Sequence, residues 1–83
     1  MPLTSAEKMA ALRARQKAAA EAQAAEDAYV AEQVEITRRQ IEAGVLSNDI
    51  VEFRGETTDR LQRAERYARY RWRGVQDGSI ASL

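Results

Sequence analysis

Apolar and polar positions along the chain predict two helices of very unequal length. Helix-forming residues run from Thr4 to Ala43 without a proline or glycine, and a second helical pattern extends from Asp59 to Arg73. At 1.5 Å per residue, the first helix would be about 60 Å long and the second about 22 Å. The short helix therefore cannot cover the long one. Part of the long helix must be exposed, pair with a copy of itself, or lie against another protein.

Local signals mark the ends of both helices. Thr4 followed by Glu7 fits a capping box, in which a hydroxyl and a carboxylate satisfy free amide donors. Gly44 fits the C-terminal cap of the first helix, and Asp59, Thr57 or Thr58 fits the N-terminal cap of the second. Gly74 is expected to end the second helix.

The apolar stripe of the first helix is uneven. It is strong where Val30, Val34 and Ile41 share one face, but Gln23 and Glu26 interrupt the same face further back. We therefore expect residues 29–43 to join a compact core that extends to residue 74, and residues 4–28 to protrude or to bind a partner. The alanines of residues 17–28 would allow a neighbouring helix to approach closely. A solvated helix that is stable alone is the alternative.

Residues 45–56 change character between the two helices. Residues Ile50 to Phe53 favour β-structure, and their side chains would alternate between the two faces of a strand. This pattern predicts a short strand or half of a small hairpin. Val45 and Leu46 would form the opposite strand of that hairpin. The connector is thus predicted as a β-prone segment or a mini-hairpin.

The second helix has a narrow apolar stripe and is otherwise rich in arginine. Leu61, Ala68 and Trp72 lie on the stripe, and Trp72 is expected to pack near Val30 or Val34. Residues 75–83 are predicted to form a flexible tail. The predicted fold is mainly α: a single domain over residues 1–83, with the arginine-rich helix folded back on the long one as a helical hairpin or a small α+β domain.

Composition limits the chemistry. The chain has 83 residues, no cysteine and no histidine, so disulfides, thiolate sites and the commonest metal ligand are excluded. We expect no enzyme activity, no metal and no cofactor. A domain of this size with few aromatic residues usually gains stability from oligomerisation, and a homo-oligomer is expected.

No apolar run approaches the roughly 20 residues of a membrane span, and no secretory core is present, so we expect a cytoplasmic protein without membrane contact.

Charge is balanced overall but unevenly distributed. Thirteen basic and thirteen acidic residues give a net charge of zero. Six arginines and two acids give residues 57–73 a local charge of +4, whereas residues 21–35 hold five acids and no base. The two bands could pair within the chain or between copies. The residues predicted to bind a partner are Arg60, Arg63, Arg66, Tyr67, Arg69, Tyr70 and Arg73, with Ile80 and Leu83 as apolar anchors in the tail.

Three interpretations of this arginine–tyrosine face remain open. Arginine and tyrosine are typical anchors of protein interfaces. They also bind phosphates and stack on bases in nucleic-acid complexes. The third interpretation is pairing within the chain, with Glu32, Glu35 and Glu42 as the acids. Zero net charge disfavours nucleic acid.

A stretch of the chain resembles a known family. A long helix, then Val-Glu-Phe at 51–53, a threonine-rich turn and a helix that opens near Leu61 resemble the W-type head-completion (head–tail joining) proteins of tailed phages over about residues 44–70. The resemblance implies a small α+β domain that docks as a ring beneath the portal, with Val51 and Phe53 in its core. It also implies that the arginine face meets an acidic ring surface or the DNA channel, that the tail after Gly74 engages the next ring, and that the protein resides in the virion.

The sequence thus favours a structural subunit of an oligomeric assembly, most specifically a head–tail connector component bound to a portal-like ring. A small nucleic-acid-binding or regulatory protein is the alternative, as is an inhibitor or adaptor of a host protein that docks through the same face.

Overall fold

The chain folds as a helical hairpin with a small β-hairpin at the bend. The computed structural model describes residues 2–83. Its elements are α1 (Ser5–Glu42), β1 (Val51–Phe53), β2 (Glu56–Thr58) and α2 (Arg60–Asp77). The predicted fold class is confirmed: a long N-terminal helix, a mini-hairpin and a shorter C-terminal helix that packs against the first.

Both ends of α1 are fixed by the predicted caps. Thr4 Oγ1 accepts a hydrogen bond from the Glu7 amide at 3.2 Å, and the Glu7 carboxylate accepts one from the Thr4 amide at 3.3 Å. At the other end, Gly44 follows the C-cap residue Ala43 with φ of 77°, a left-handed conformation that glycine adopts without strain.

The β-hairpin differs from its predicted pairing. β1 pairs antiparallel with β2, so that Val51 faces Thr58 and Phe53 faces Glu56. The two residues of the turn, Arg54 and Gly55, have φ of 52° and 77°, the pair of positive values typical of a type I′ turn. The prediction that Val45 and Leu46 form the opposite strand is wrong. Their amides donate to the Gln40 carbonyl at 2.9 and 3.2 Å, so they are hydrogen-bonded to the C-terminal end of α1 and not to a strand.

The core lies between α2 and the C-terminal half of α1. Val30 and Ala68, both predicted as core, are the most buried apolar residues, at 4% and 3% exposure. Trp72 packs on Tyr29, the residue before Val30, with ring centroids 5.4 Å apart and a tilt of 33°. Other residues predicted as core are half-buried at the margins of the helix pair: Val34, Ile41, Leu61 and Trp72.

The assignment of Val51 and Phe53 to the core is wrong for the single chain. Their exposures are 42% and 69%. The reason is that the two-stranded hairpin makes few contacts with either helix, and of its six strand residues only Thr58, next to the start of α2, is buried. The Phe53 ring instead lies 5.1 Å from the Arg54 guanidinium carbon.

The end of α2 also differs from expectation. The helix passes through Gly74 and ends at Asp77, with Gly78 at φ of 85° as its left-handed cap. The Ile80 amide donates to the Gly74 carbonyl at 3.0 Å, and the Ile80 side chain occupies the space beside this buried glycine. Residues 75–77 of the predicted tail are therefore helical. The remainder folds back along α2, where Arg71 donates to the carbonyl oxygens of Ser82 and Leu83 at 3.4 and 3.0 Å.

The molecule is strongly elongated because α1 outreaches α2. Its extents are 62 × 29 × 23 Å, and its radius of gyration is 18.7 Å. A compact domain of this length would have a radius of gyration of about 12 Å. Residues 5–25 of α1, hereafter the arm, lie beyond the packed region; all are exposed except the half-buried Ala11. Neither helix within residues 2–83 is long and apolar enough to cross a membrane.

Candidate interaction surfaces

The arginines at the start of α2 hold the connector in place. Asn48 Oδ1 accepts a hydrogen bond from the Arg60 amide at 3.0 Å. The guanidinium groups of Arg60 and Arg63 both approach Asp49 Oδ1, at 2.9 and 3.0 Å. Arg63 also donates to the Thr58 carbonyl at 2.9 Å. These two residues of the predicted partner face are thus engaged within the chain, where they join the connector, the β-hairpin and α2.

Glu26 lies at the centre of the contact between the C-terminal part of α2 and α1. Only 5% of it is exposed. Its carboxylate accepts hydrogen bonds from Arg73 Nε and Arg69 Nη1, both at 2.9 Å, and from Gln23 Nε2 at 3.1 Å. The bond from Arg73 is the main reason that the pKa of Glu26 lies below its usual value; burial opposes this shift, and Gln23 and Arg69 reinforce it.

Asp27 extends this cluster on its exposed side. It accepts from Gln23 at 3.0 Å and from Arg69 at 3.1 Å. These two bonds, in that order of size, lower the pKa of Asp27. In the sequence, Glu26 interrupts the apolar stripe and belongs to the acidic band of residues 21–35, and pairing of that band with the basic band within the chain is confirmed for Glu26 and Asp27. The position of Glu26 on that stripe, facing an arginine-rich helix, was the signal that a buried ion pair forms here.

The remaining α2 arginines are also engaged within the chain. Arg66 forms an ion pair with Glu56 of β2, and this pair lowers the pKa of Glu56. Arg71 holds the tail carbonyls and lies 5.8 Å from the centroid of the Tyr67 ring. All six α2 arginines therefore have acceptors within residues 2–83. Of the three interpretations of the arginine–tyrosine face, these contacts agree with pairing within the chain.

The prediction that Glu32, Glu35 and Glu42 pair with the α2 arginines is wrong. Glu35 pairs with Arg38 and Arg39 of its own helix, and Glu42 pairs with Arg38. These partners lie three or four residues away on the same helix face, so they are closer than any α2 side chain. The Arg38 hydrogen bond is the main cause of the lowered pKa of Glu35.

The exposed aromatic residues of α2 form a tyrosine pair beside an open groove. Tyr67 and Tyr70 are 59% and 65% exposed, and their rings stack with centroids 6.4 Å apart. The groove has a volume of about 430 Å³ and is lined by Tyr70, Arg66, Arg69, Arg73, Gly74, Asp77 and Ser79. Its guanidinium groups are already neutralised. Ile80 of the predicted partner face is docked beside Gly74, whereas Leu83 is 48% exposed.

The arm carries charges of a different kind. Lys8, Arg13, Arg15 and Lys17 form no ion pair with any residue in the range 2–83, and the same is true of Glu21. Two larger apolar side chains lie among these cations, Met9 at 49% exposure and Leu12 at 46%. The cations of the arm are therefore unpaired within residues 2–83, whereas each α2 arginine has an acceptor there.

A second exposed surface is the β-hairpin with its preceding connector. Four apolar side chains of 42–71% exposure lie here: Val45, Ile50, Val51 and Phe53. Across residues 2–83, no group of three or more acidic side chains is placed to hold a metal ion. The surfaces described above present apolar side chains, packed arginine and tyrosine side chains, and charges.

No family model, curated protein or solved structure matches this chain.

Proposed function

We propose that this protein is a non-catalytic structural subunit that joins a larger assembly through its arm. The observation that carries the proposal is the length of α1 beyond its own domain. The 21 residues from 5 to 25 correspond to about 31 Å of helix in which every residue except Ala11 is exposed. Ordering such a helix costs conformational entropy, and packing against the rest of the chain does little to offset that cost. We therefore expect the arm to be stabilised by contact with another molecule.

The charges of the arm support this role. Arg13 and Lys17 are four residues apart on one helix, a like-charge spacing that destabilises a helix by about 0.2–0.5 kcal/mol. Isolated helices of this length are marginal in water. A partner that supplies acidic groups and covers Met9 and Leu12 would remove both costs.

Among assemblies, a phage head–tail connector is the one we propose. The order helix, β-hairpin, helix forms a small α+β domain of the kind that the resemblance to W-type proteins implies. Exposure of Val51 and Phe53 in the single chain fits a ring, because a neighbouring subunit would cover the hairpin there. In this proposal the protein resides in the virion, with a portal-like ring as its partner.

The test is to measure the molar mass of the purified protein by light scattering, alone and with a purified portal ring. We expect an oligomer or a ring complex that weakens when Leu12 is replaced by glutamate. Ala24→Glu is a control, because Ala24 is also an exposed arm residue but lies away from Leu12 around the helix. A stable monomer with no affinity for the ring would contradict the proposal.

Nucleic-acid binding is the second candidate, and the arm favours it more than α2 does. The free cations Lys8, Arg13, Arg15 and Lys17 would contact phosphates, whereas the α2 arginines would first have to leave their carboxylates. Binding of DNA or RNA that weakens steeply with salt would support it. Replacement of Arg13 and Lys17 by glutamate should then abolish retention on a nucleic-acid column, and unchanged retention would dispose of this use of the arm.

A further inference from the structure

We infer that β1 of one copy pairs antiparallel with β1 of a second copy, so that the two β-hairpins form one four-stranded sheet. The occupant of the free β1 edge is therefore a second copy of this chain. The inference rests on the proposed assembly role, because it names the neighbour that covers Val51 and Phe53. It does not involve the arm, so its failure and the failure of the arm role can be told apart.

The outer edge of β1 carries backbone groups without a partner. In a two-residue turn the flanking residues, here Phe53 and Glu56, are hydrogen-bonded to each other, and bonded and non-bonded pairs then alternate along the hairpin. The amide and carbonyl groups of Glu52 and Ile50 therefore point away from β2. The hydrogen bonds that tether the connector go to residues 47–49 and do not reach these groups within residues 2–83. An open edge of this kind is a template for another strand.

The β1 edge is open, whereas β2 is tied to α2. Glu56 of β2 forms an ion pair with Arg66, and Thr58 is buried next to the start of α2. On β1 and just before it, Ile50 is 71% exposed and Phe53 is 69% exposed. A second strand at the β1 edge would leave the contacts between β2 and α2 intact.

A two-fold axis at Val51 gives a register that satisfies both strands. It places Ile50 of each copy opposite Glu52 of the other, and each of these two pairs can exchange two hydrogen bonds. An axis at Glu52 would put two carboxylates directly opposite each other and would have to pair Arg54, whose φ of 52° lies outside the strand conformation. An axis at Ile50 would need residues 47–49, which α2 already binds. The axis at Val51 gives four hydrogen bonds and no facing like charges.

Pairing in this register also covers apolar side chains that are exposed in the single chain. Val51 faces Val51 of the second copy in a non-hydrogen-bonded pair, in which the Cα atoms lie about 4.5 Å apart. Phe53 lies diagonally from the second copy's Val51 on the same face, within reach of an aromatic ring. Four apolar side chains thus meet on one face of the sheet. An isolated two-stranded hairpin is marginally stable, and the added strands offset this weakness.

The contact lies at the end of the molecule opposite to the arm. The β-hairpin follows the C-terminal end of α1, whereas the arm is the N-terminal part of the same helix. The contact is isologous, because both copies contribute the same strand, and it joins the copies in pairs. Each pair then carries two free arms. Such a pair could bind two sites of an assembly at once, which strengthens binding without new contacts.

The decisive experiment blocks one edge of the hairpin at a time in the full chain. Glu52→Pro removes the amide that faces the second copy, and Thr57→Pro is the matched control, because it removes the outward amide directly opposite on β2. We expect the wild type to form a dimer that dissociates on dilution, since the contact is small. In analytical ultracentrifugation, Glu52→Pro should raise the dissociation constant at least about tenfold, because the dimer loses two hydrogen bonds. Thr57→Pro should leave it unchanged, and circular dichroism should show wild-type helical content in both variants.

Disulfide crosslinking tests the register, since the chain contains no cysteine of its own. Val51→Cys should form a disulfide between two copies, because the proposed separation of the Cα atoms lies within the range of natural disulfides. Thr57→Cys, on the other strand, should stay monomeric under the same oxidising conditions. Readier crosslinking through position 57 would mean that the β2 edge makes the contact, and it would overturn the inference.

The remaining outcomes separate this inference from the proposed function. A wild type that stays monomeric at all concentrations, or a dimer that both proline substitutions weaken equally, would overturn β1 pairing and leave the arm role to the test with Leu12→Glu. A monomer whose binding to a portal ring weakens with Glu52→Pro would mean that the edge binds a strand of the ring, and it would also overturn pairing between copies. A dimer that is dissociated by Glu52→Pro but not by Leu12→Glu, and that binds no ring, would support the inference and contradict the arm role.

Discussion

The two halves of α1 show how one helix can serve two purposes. Residues 26–42 and the arm form a single uninterrupted helix, but only the first part has α2 beside it. In the packed half, nearly every charged side chain has an opposite charge at hydrogen-bond distance, as Glu26, Glu35 and Arg38 illustrate. In the arm, the cations have none within the described residues 2–83. Tertiary contact therefore stabilises the packed half, whereas the arm depends on alanine-rich helix propensity and on its continuity with that half.

If the arm has the proposed role, this difference separates residues that stabilise the fold from residues that bind a partner. Residues of the packed half and α2 satisfy one another, so substitutions there should alter folding more than binding. Most charged residues of the arm have no ion-pair partner within residues 2–83, so we expect substitutions of these residues to alter binding more than folding. Variants placed in matched positions on the two sides of Glu26 can test this division.

The largest effect is expected from Trp72→Ala. Loss of the indole removes the contact with Tyr29 and opens the centre of the helix pair. Substitutions of this kind cost about 3–5 kcal/mol, and the half-buried position favours the lower end. Thermal unfolding followed by circular dichroism should show a midpoint lower by more than about 10 °C.

Tyr70→Ala is the control for this variant. Tyr70 is an aromatic residue of the same helix, but it is 65% exposed, so the midpoint should change little. Similar losses in both variants would mean that the tyrosine pair, rather than the contact with Tyr29, stabilises the domain. The comparison between packed and free surfaces of α2 would then fail.

A smaller, pH-dependent effect is expected from Glu26→Gln. The folded-state pKa of Glu26 is below its usual value of 4.5, chiefly because of the Arg73 hydrogen bond. A lowered folded-state pKa means that the ionised carboxylate stabilises the fold above pH 4.5 and that this contribution is lost as the pH falls through the folded-state pKa. Glu26→Gln should therefore lower stability at pH 7 and reduce the acid-induced loss seen in the wild type.

Glu21→Gln provides the matched control in the arm. Glu21 belongs to the same helix and is exposed without an ion pair in the described part of the chain. We expect no change in the unfolding free energy of the monomer at either pH, as measured by urea titration. Equal sensitivity of the two variants would show that general helix electrostatics, and not the contact with Arg69 and Arg73, determines the acid response.

The sequence predicted most reliably those features that depend on neighbouring residues. The capping box of Thr4 and Glu7 and the cap at Asp59 fixed the starts of both helices, because each cap lies within four residues of its partner. The burial of Val30 and Ala68 followed from helical periodicity in the same way. Such signals need no knowledge of the tertiary structure.

The features that sequence analysis missed depend on distant residues. β2 has no apolar residue, and its turn is Arg-Gly rather than the commoner Asn-Gly, so periodicity gave no sign of it. The role of Glu26 depends on the register that brings Arg69 and Arg73, more than forty positions away in the chain, to one carboxylate. The exposure of Val51 and Phe53 depends on how closely the hairpin packs against the helices, and it makes few contacts with them.

A modest effect is expected when alanine is replaced by glycine at exposed positions on either side of Glu26. Ala31→Gly lies in the packed half and Ala20→Gly in the arm, and both positions are exposed and mid-helical. Glycine costs about 1 kcal/mol relative to alanine in a helix interior. Global unfolding in urea should register this cost for Ala31→Gly. For Ala20→Gly, the same cost should be detected only as faster amide exchange in the arm, because the arm can fray while the domain stays folded.

Gly74→Ala should change overall stability least, because two effects oppose each other. Alanine favours the helix interior over glycine by about 1 kcal/mol. However, a Cβ at this position would lie 2.7 Å from Ile80 Cγ1, so the Ile80 side chain must move and the tail loses its contact with α2. We therefore expect a nearly unchanged unfolding midpoint together with faster amide exchange and proteolysis of residues 79–83. Gln76→Ala, an exposed position nearby on the same helix, should leave the tail protected. Unchanged protection in Gly74→Ala would mean that the Arg71 hydrogen bonds to Ser82 and Leu83 hold the tail without Ile80. The tail would then be part of the packed region through polar contacts alone.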